Sequence, residues 1–305
     1  MLTPLILHHY PQSPFSEKIR KILAHKRLAW SAVEQPSIMP KPDLVPLTGG
    51  YRKIPVLQIG ADVFCDTLLV VRTLEWLHPT PTLYPGGTVG TCHAWNLWAD
   101  RLLFQPVVAV VFDEIGAFVP PAFIEDRQKM MPGRSFTELP AQAPHAREQV
   151  RGLIAVLEDQ FADGRPHLLG AEFSLADAAC FHPLWFLRVA PNAYAVLEQF
   201  PHTTAWMARV DAMGDGAPST MAPAEALAIA RASTPAAVPA TDAREPGGLA
   251  PGAPVTVVPD DYGFDPVSGT LVFSSVHEVA VRRRDPELGD LVVHFPRVGF
   301  RVTAG

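Results

Sequence analysis

Twice along this 305-residue chain the apolar residues change their spacing, and each change demands a different kind of packing. From Leu5 to Leu77 strand-length apolar runs alternate with a helical period. Leu5, Ile6 and Leu7 form a short strand, broken by the stretch from Pro11 to Pro14. Phe15, Ile19, Ile22 and Leu23 then recur at the spacing of one buried helical stripe. Ser13 is placed to cap that helix, Pro14 suits its first position, and Glu17 suits the positive end of its dipole. Trp30 to Val33 reads as a second strand; after a helix-length crossover it is expected parallel to the first. A proline-rich loop and a short helix lead to Pro55–Ile59 and Val63–Cys65, a hairpin through Gly60-Ala61-Asp62. A helix beginning at Asp66 or Thr67 runs through Leu69, Val70, Leu74 and Leu77. The order is βαβ, a helix, then ββα.

Beyond the connector His78 to Gly87 the period is helical throughout. Trp95, Trp98, Leu102 and Leu103 mark one helix, expected to end or kink at Pro106. Val150, Leu153, Leu157 and Phe161 mark another. Ser174 to Asp177 resembles a capping box, with Asp in place of the usual Glu, and opens a helix through Phe181 and Leu184. Further helical pattern covers Pro201–Met213 and Pro223–Arg231. Residues 233–253 are rich in Pro, Ala and Gly without apolar period, which reads as a flexible linker. Strands are then expected at Val255–Val258, Thr270–Ser274, Val276–Arg283, Leu291–His294 and Val298–Val302, with a turn at Pro286–Gly289. The expected units are an α/β domain over 1–78, an all-α domain over 88–232, and a small antiparallel β-rich extension over 254–305.

Charge and cysteine usage narrow the function classes. The net charge of -6 gives no electrostatic attraction to nucleic acid or anionic lipid. The cluster Arg282-Arg283-Arg284 is too short to reverse this. Cys65, Cys92 and Cys180 are few and far apart, as in a reducing compartment. Met1–Tyr10 lacks the pattern of a signal peptide, and the apolar run Val107–Phe112 is too short to span a bilayer. A cytoplasmic, soluble protein is the expectation.

The segments LILHHYPQSPFSEKIRKIL, KIPVLQIG and DVFCDTLLVVRTLEW together resemble the thioredoxin-like N-terminal domain of glutathione transferases, closest to the omega and zeta groups. The likeness is strong over residues 4–78 and looser through the helical domain, where the Ser174–Asp177 box occupies a family position. Residues 240–305 lie outside the family pattern. The resemblance implies a thioredoxin-like α/β domain followed by the family's all-α domain, with glutathione as co-substrate and no metal. It also implies a homodimer, and a detoxifying transferase that turns the glutathione thiolate on a small hydrophobic electrophile. Glutathione-dependent lyase or dehalogenase chemistry is an alternative. So is a non-catalytic interaction protein that works through the extension.

By that resemblance Ser13 is the catalytic residue and Tyr10 the rival, with Ser16 a weaker candidate. A hydroxyl that donates to sulfur at the positive end of a helix can lower a thiol pKa by about one to two pH units. Serine can do so while its oxygen also accepts the helix-cap bond; taken alone, Ser13 reads as an N-cap only. Omega-like members carry cysteine at this place, so serine puts their disulfide-based reductase chemistry in doubt. The glutathione-binding set comprises Phe15, Lys41, Lys53, Ile54, Pro55, Asp66 and Thr67. Ile54-Pro55 matches the family's cis-proline site, where the preceding backbone pairs with the cysteinyl backbone of a bound peptide. Thr67 and the backbone N–H groups beside it suit the γ-glutamyl carboxylate, and Asp66 suits its ammonium. Lys41, or Lys53 or Arg52, would face the glycine carboxylate. The plain readings are a strand-start proline, a helix cap and solvated lysines.

Tyr10, Trp95, Trp98 and Phe104 are candidates for a hydrophobic co-substrate pocket, though for Trp95, Trp98 and Phe104 a packing stripe is the favoured reading. His8 and His9 point to opposite sides of a strand and make a poor chelate. His277-Glu278 lacks the second histidine of a zinc-protease motif, and Cys65 reads as core. In the extension, Arg284, His294 and Arg297 are either an anion site or solvated edge residues. A module of this size would fold poorly alone, so it is expected to pack on the helical domain or across a dimer and to cover the co-substrate pocket.

Overall fold

In the computed structural model, which describes residues 3–132, 138–242 and 244–305, β1 (Ile6–His9) lies parallel to β2 (Ala29–Glu34), joined by α1 (Pro14–His25). Met1 and Leu2, part of the amino-terminal segment read above, fall outside the described residues. After α2 (Val45–Thr48), β3 (Val56–Ile59) pairs antiparallel with β1 and with β4 (Asp62–Cys65), and α3 (Thr67–Leu77) follows. This is the expected thioredoxin-like order. Ser13 caps α1 through Oγ, which accepts from the Ser16 N–H at 3.2 Å.

The helical domain begins with α4 (Val89–Trp98), a π turn over Ala99–Leu103, and α5 (Phe104–Ile115). Of the two outcomes expected at Pro106, an end or a kink, the helix does not end there; its regular winding is interrupted just before it, by the π turn. Pro106 closely follows that π turn, whose irregular hydrogen bonding accommodates the missing N–H. Then come α6 (Pro121–Met130), α7 (Leu139–Gln160), α8 (Leu175–Phe186), α9 (Pro191–Tyr194), α10 (Pro201–Asp211) and α11 (Pro223–Ala232). Buried Asp177 takes the carboxylate role of a capping box: it accepts from Ser174 N–H at 2.9 Å and from the Ser174 hydroxyl at 2.7 Å. Its other oxygen accepts from Trp206 Nε1 and Leu168 N, each at 2.9 Å, so one carboxylate fastens α8 to α10. Between α10 and α11, β5 (Ala217–Thr220) adds parallel to β2. Its four residues are all exposed, so no apolar alternation announced it.

The extension contains all five expected strands: β6 (Pro254–Pro259), β7 (Val267–Ser274), β8 (Glu278–Asp285), β9 (Gly289–Pro296) and β10 (Phe300–Ala304). Its placement corrects the expectation. β9 pairs parallel with β4, so one sheet of ten strands runs β10-β6-β7-β8-β9-β4-β3-β1-β2-β5. The body of the extension packs on the thioredoxin-like domain, not on the helical one. Val257, Leu271, Val281, Leu291, Val293 and Phe295 share a core with Leu44, Leu47, Tyr51, Val56 and Val63. The reason is physical: β4 would otherwise present an open edge of backbone donors and acceptors above an apolar patch on α2.

The linker is fastened too. Asp62 Oδ2 accepts the Ala236 N–H at 2.8 Å, and the Asp242 N–H donates to the Ser274 carbonyl at 3.0 Å. Arg284, His294 and Arg297, the three candidates for an anion site, do not gather. Arg284 is exposed beside Asp290, Arg297 pairs with Glu245, and His294 is buried between Asp62 and Glu278.

Candidate active site

Two cavities adjoin where the α1 N-terminus, the loop before β3 and the start of α5 converge. Phe15, Lys53, Ile54, Phe104 and Gln105 line both, joined by Tyr262 from the loop between β6 and β7. The first, about 350 Å³, has Pro55, Asp66, Thr67, Asp100 and Asp261 on its walls. The second, about 430 Å³, opens on Tyr10, Ser13 and Lys41 and is walled by Val108, Phe112, Phe123, Met130 and Phe186.

On the polar side, Ile54–Pro55 is cis. Asp66 holds a left-handed φ of 70°, a conformation that L side chains rarely adopt, at the cap of α3. Its carboxylate accepts from the Leu68 N–H at 2.9 Å. Burial pushes the Asp66 carboxyl above the usual range, with Lys53 pulling against it. Below Phe15 lies a second charged group. Lys18, fully buried on α1, reaches Asp100 Oδ2 at 2.7 Å and Asn96 Oδ1 at 3.1 Å, and Asp100 also meets His182 Nε2 at 3.0 Å. Burial alone would raise the Asp100 carboxyl, but Lys18 and His182 more than reverse that and hold it low. His182 itself is driven down to about 4, chiefly by burial, so it meets Asp100 as a neutral ring.

On the apolar side, Ser13 is 2% exposed and keeps its cap bond. Lys41 is buried, its ammonium on the Pro36 carbonyl and 5.9 Å from the Tyr10 ring centre. Burial first, then Arg127 and Arg52, lower its pKa to about 8. Arg52 is committed to Asp126 on α6. Phe104 packs edge to face on Phe15 with ring centres 4.8 Å apart.

The structure therefore gathers Tyr10, Ser13, Phe15, Lys41, Lys53, Ile54, Pro55, Asp66, Thr67 and Phe104 around one joint. Trp95 and Trp98 line neither cavity: their rings stand edge to face at 5.2 Å against the helical core, as a packing stripe would. The sequence reading missed the residues the extension brings. Lys53 Nζ lies 2.6 Å from Asp261 Oδ1 and 4.1 Å from the Tyr262 ring centre, and Arg101 on the π turn faces Asp260 at 3.5 Å. The turn-forming run Asp260 to Asp265 marked a loop there, but nothing local said where it would land.

Residues 7–82 match the N-terminal domain of glutathione S-transferases and residues 140–209 their C-terminal domain. A GST-like protein of Pseudomonas syringae is similar over the whole of both chains, at 38% identity and a TM-score of 0.83. A probable glutathione S-transferase of Solanum tuberosum is 20% identical over 64% of this chain and 80% of its own length. A glutathione S-transferase of Methylobacterium radiotolerans, solved in complex with glutathione sulfonate, shares the fold at a TM-score of 0.52 and 23% identity, over 72% of this chain and 97% of that one.

Proposed function

The chain belongs to the glutathione S-transferase family, and on that premise we propose that it binds glutathione across the joint of its two cavities and turns the thiolate on a small apolar electrophile. The observation that carries this reading is the division of labour at the joint. Pro55, Asp66 and Thr67 line one cavity; Ser13 and an aromatic and aliphatic wall line the other; Ile54 borders both.

The γ-glutamyl carboxylate sits at the α3 N-terminus against Thr67, where partial positive charge and backbone N–H groups favour an anion. Asp66 receives the ammonium. The cysteinyl backbone runs past Ile54, which aims the sulfur at Ser13. Ser13 Oγ accepts from Ser16, and an accepting hydroxyl keeps a proton to donate. That donated bond and the α1 dipole stabilise sulfur as thiolate, so more of it is ionised at neutral pH. Tyr10, on the same cavity, is the rival donor. The electrophile rests against Phe104, Val108, Phe112 and Phe123, where desolvation sharpens the nucleophile.

The test is steady-state conjugation of glutathione to a chlorodinitrobenzene. Ser13→Ala should lower kcat/KM by about 100-fold, the size of a lost thiolate donor, with Tyr10→Phe within about threefold. Equal rates for Ser13→Ala and the parent protein would contradict the Ser13 role.

A further inference from the structure

We propose that Asp261 is a specificity-determining residue which, by occupying Lys53, cancels the site's preference for a free terminal carboxylate and so admits a thiol peptide whose terminal carboxyl group is masked as an amide or ester. This rests on the glutathione reading above and deepens it. Lys53 is the cation at the joint of the two cavities and the group nearest Ile54 that a terminal carboxylate would seek. It is already taken. Asp261 Oδ1 lies 2.6 Å from Nζ in a pair whose side chains are 10% and 23% exposed, so water screens it poorly.

Asp261 is not free to swing away. Its carboxylate also accepts the Tyr262 N–H at 2.7 Å, and the Tyr262 ring lies under the same ammonium. The Gly263 N–H donates to the Met130 carbonyl at 2.7 Å, fixing the loop to α6. Gly263 holds a φ of +64°, and a Cβ there would stand 3.3 Å from Met130 Cε and 3.4 Å from Lys53 Cε, so the loop is closed onto both. Arg101 holds the far side through Asp260 at 3.5 Å and Asp261 at 3.8 Å.

A free carboxylate entering this corner shares one ammonium with a fixed aspartate and meets like charge; an amide or ester does not. The two arginines on the apolar wall are engaged as well. Arg52 and Arg127 both hold Asp126, and Lys41 lies on the Pro36 carbonyl along the apolar cavity.

The experiment is calorimetric titration of glutathione and of its glycyl monoethyl ester into the full chain, Asp261→Asn, and Asp261→Asn with Lys53→Met. The parent protein should bind the two ligands within about twofold. Asp261→Asn should bind free glutathione about tenfold tighter with the ester nearly unchanged, and adding Lys53→Met should abolish that gain. A parent protein that favours the free acid tenfold overturns the inference. So does an Asp261→Asn variant that moves both ligands equally, the signature of a loosened loop. If neither ligand binds any of the three proteins, the glutathione reading falls and this inference falls with it.

Discussion

His294 on β9 meets Asp62 on β4 at 3.1 Å through Nε2, and this contact crosses the seam where the extension joins the thioredoxin-like sheet. Its other nitrogen meets Glu278 on β8 at 2.6 Å, and its ring stacks on Phe64 with centres 4.4 Å apart. Burial opposes charge on the ring, but the two carboxylates outweigh it and raise the pKa above the ordinary 6.5.

A raised histidine stabilises the folded state in its protonated form. The contribution is complete below pH 6.5 and fades as pH rises through the higher folded value. Replacing His294 with Gln should therefore cost about 2 kcal/mol near pH 6 and progressively less above it. Thermal melting from pH 5.5 to 9 checks this. A penalty that grows with pH would show that the ring is neutral in the seam.

Asp100 is the counter-charge of Lys18, a lysine with no exposed surface. Removing the carboxylate as Asp100→Ala should cost about 3–5 kcal/mol, because a buried ammonium is left without compensation. Lys18→Met alone should be milder, and the double variant should recover much of the loss. Denaturant midpoints of the four proteins decide it; additive losses would mean the pair does not act as a unit.

Val108 stands half-buried on the wall of the apolar cavity, away from Asp66 and Thr67. Val108→Trp should fill that cavity and raise KM for a bulky electrophile by about tenfold, while glutathione affinity stays within about twofold. Steady-state kinetics with both substrates varied separates the two effects. Equal losses for both would place the electrophile elsewhere.

Signals carried by neighbouring residues were legible in the sequence. Ser13-Pro14 opens α1, Gly60-Ala61-Asp62 turns β3 into β4, and Asp66 caps α3 as the chemistry of each residue dictates. The five strands of the extension were visible for the same reason. What joins them to the rest was not: β9 finds β4 by exposing matched backbone and apolar faces, and no residue in either strand encodes its partner locally. Asp261 was invisible as a partner of Lys53 for that reason. Helical spacing placed Trp95 and Phe104 on helices without saying which would face the cavity, and only Phe104 does.

The central claim is that Ser13 holds glutathione sulfur as a thiolate at the joint of the two cavities. The direct measurement is the pKa of the bound thiol, followed by ultraviolet difference absorbance across pH, for the parent protein and Ser13→Ala. The account predicts a bound-thiol pKa about one to two pH units below that of free thiol in the parent protein, and a value near that of free thiol in Ser13→Ala with binding retained. An unshifted thiol in the parent protein, or an equally depressed one in Ser13→Ala, would contradict it.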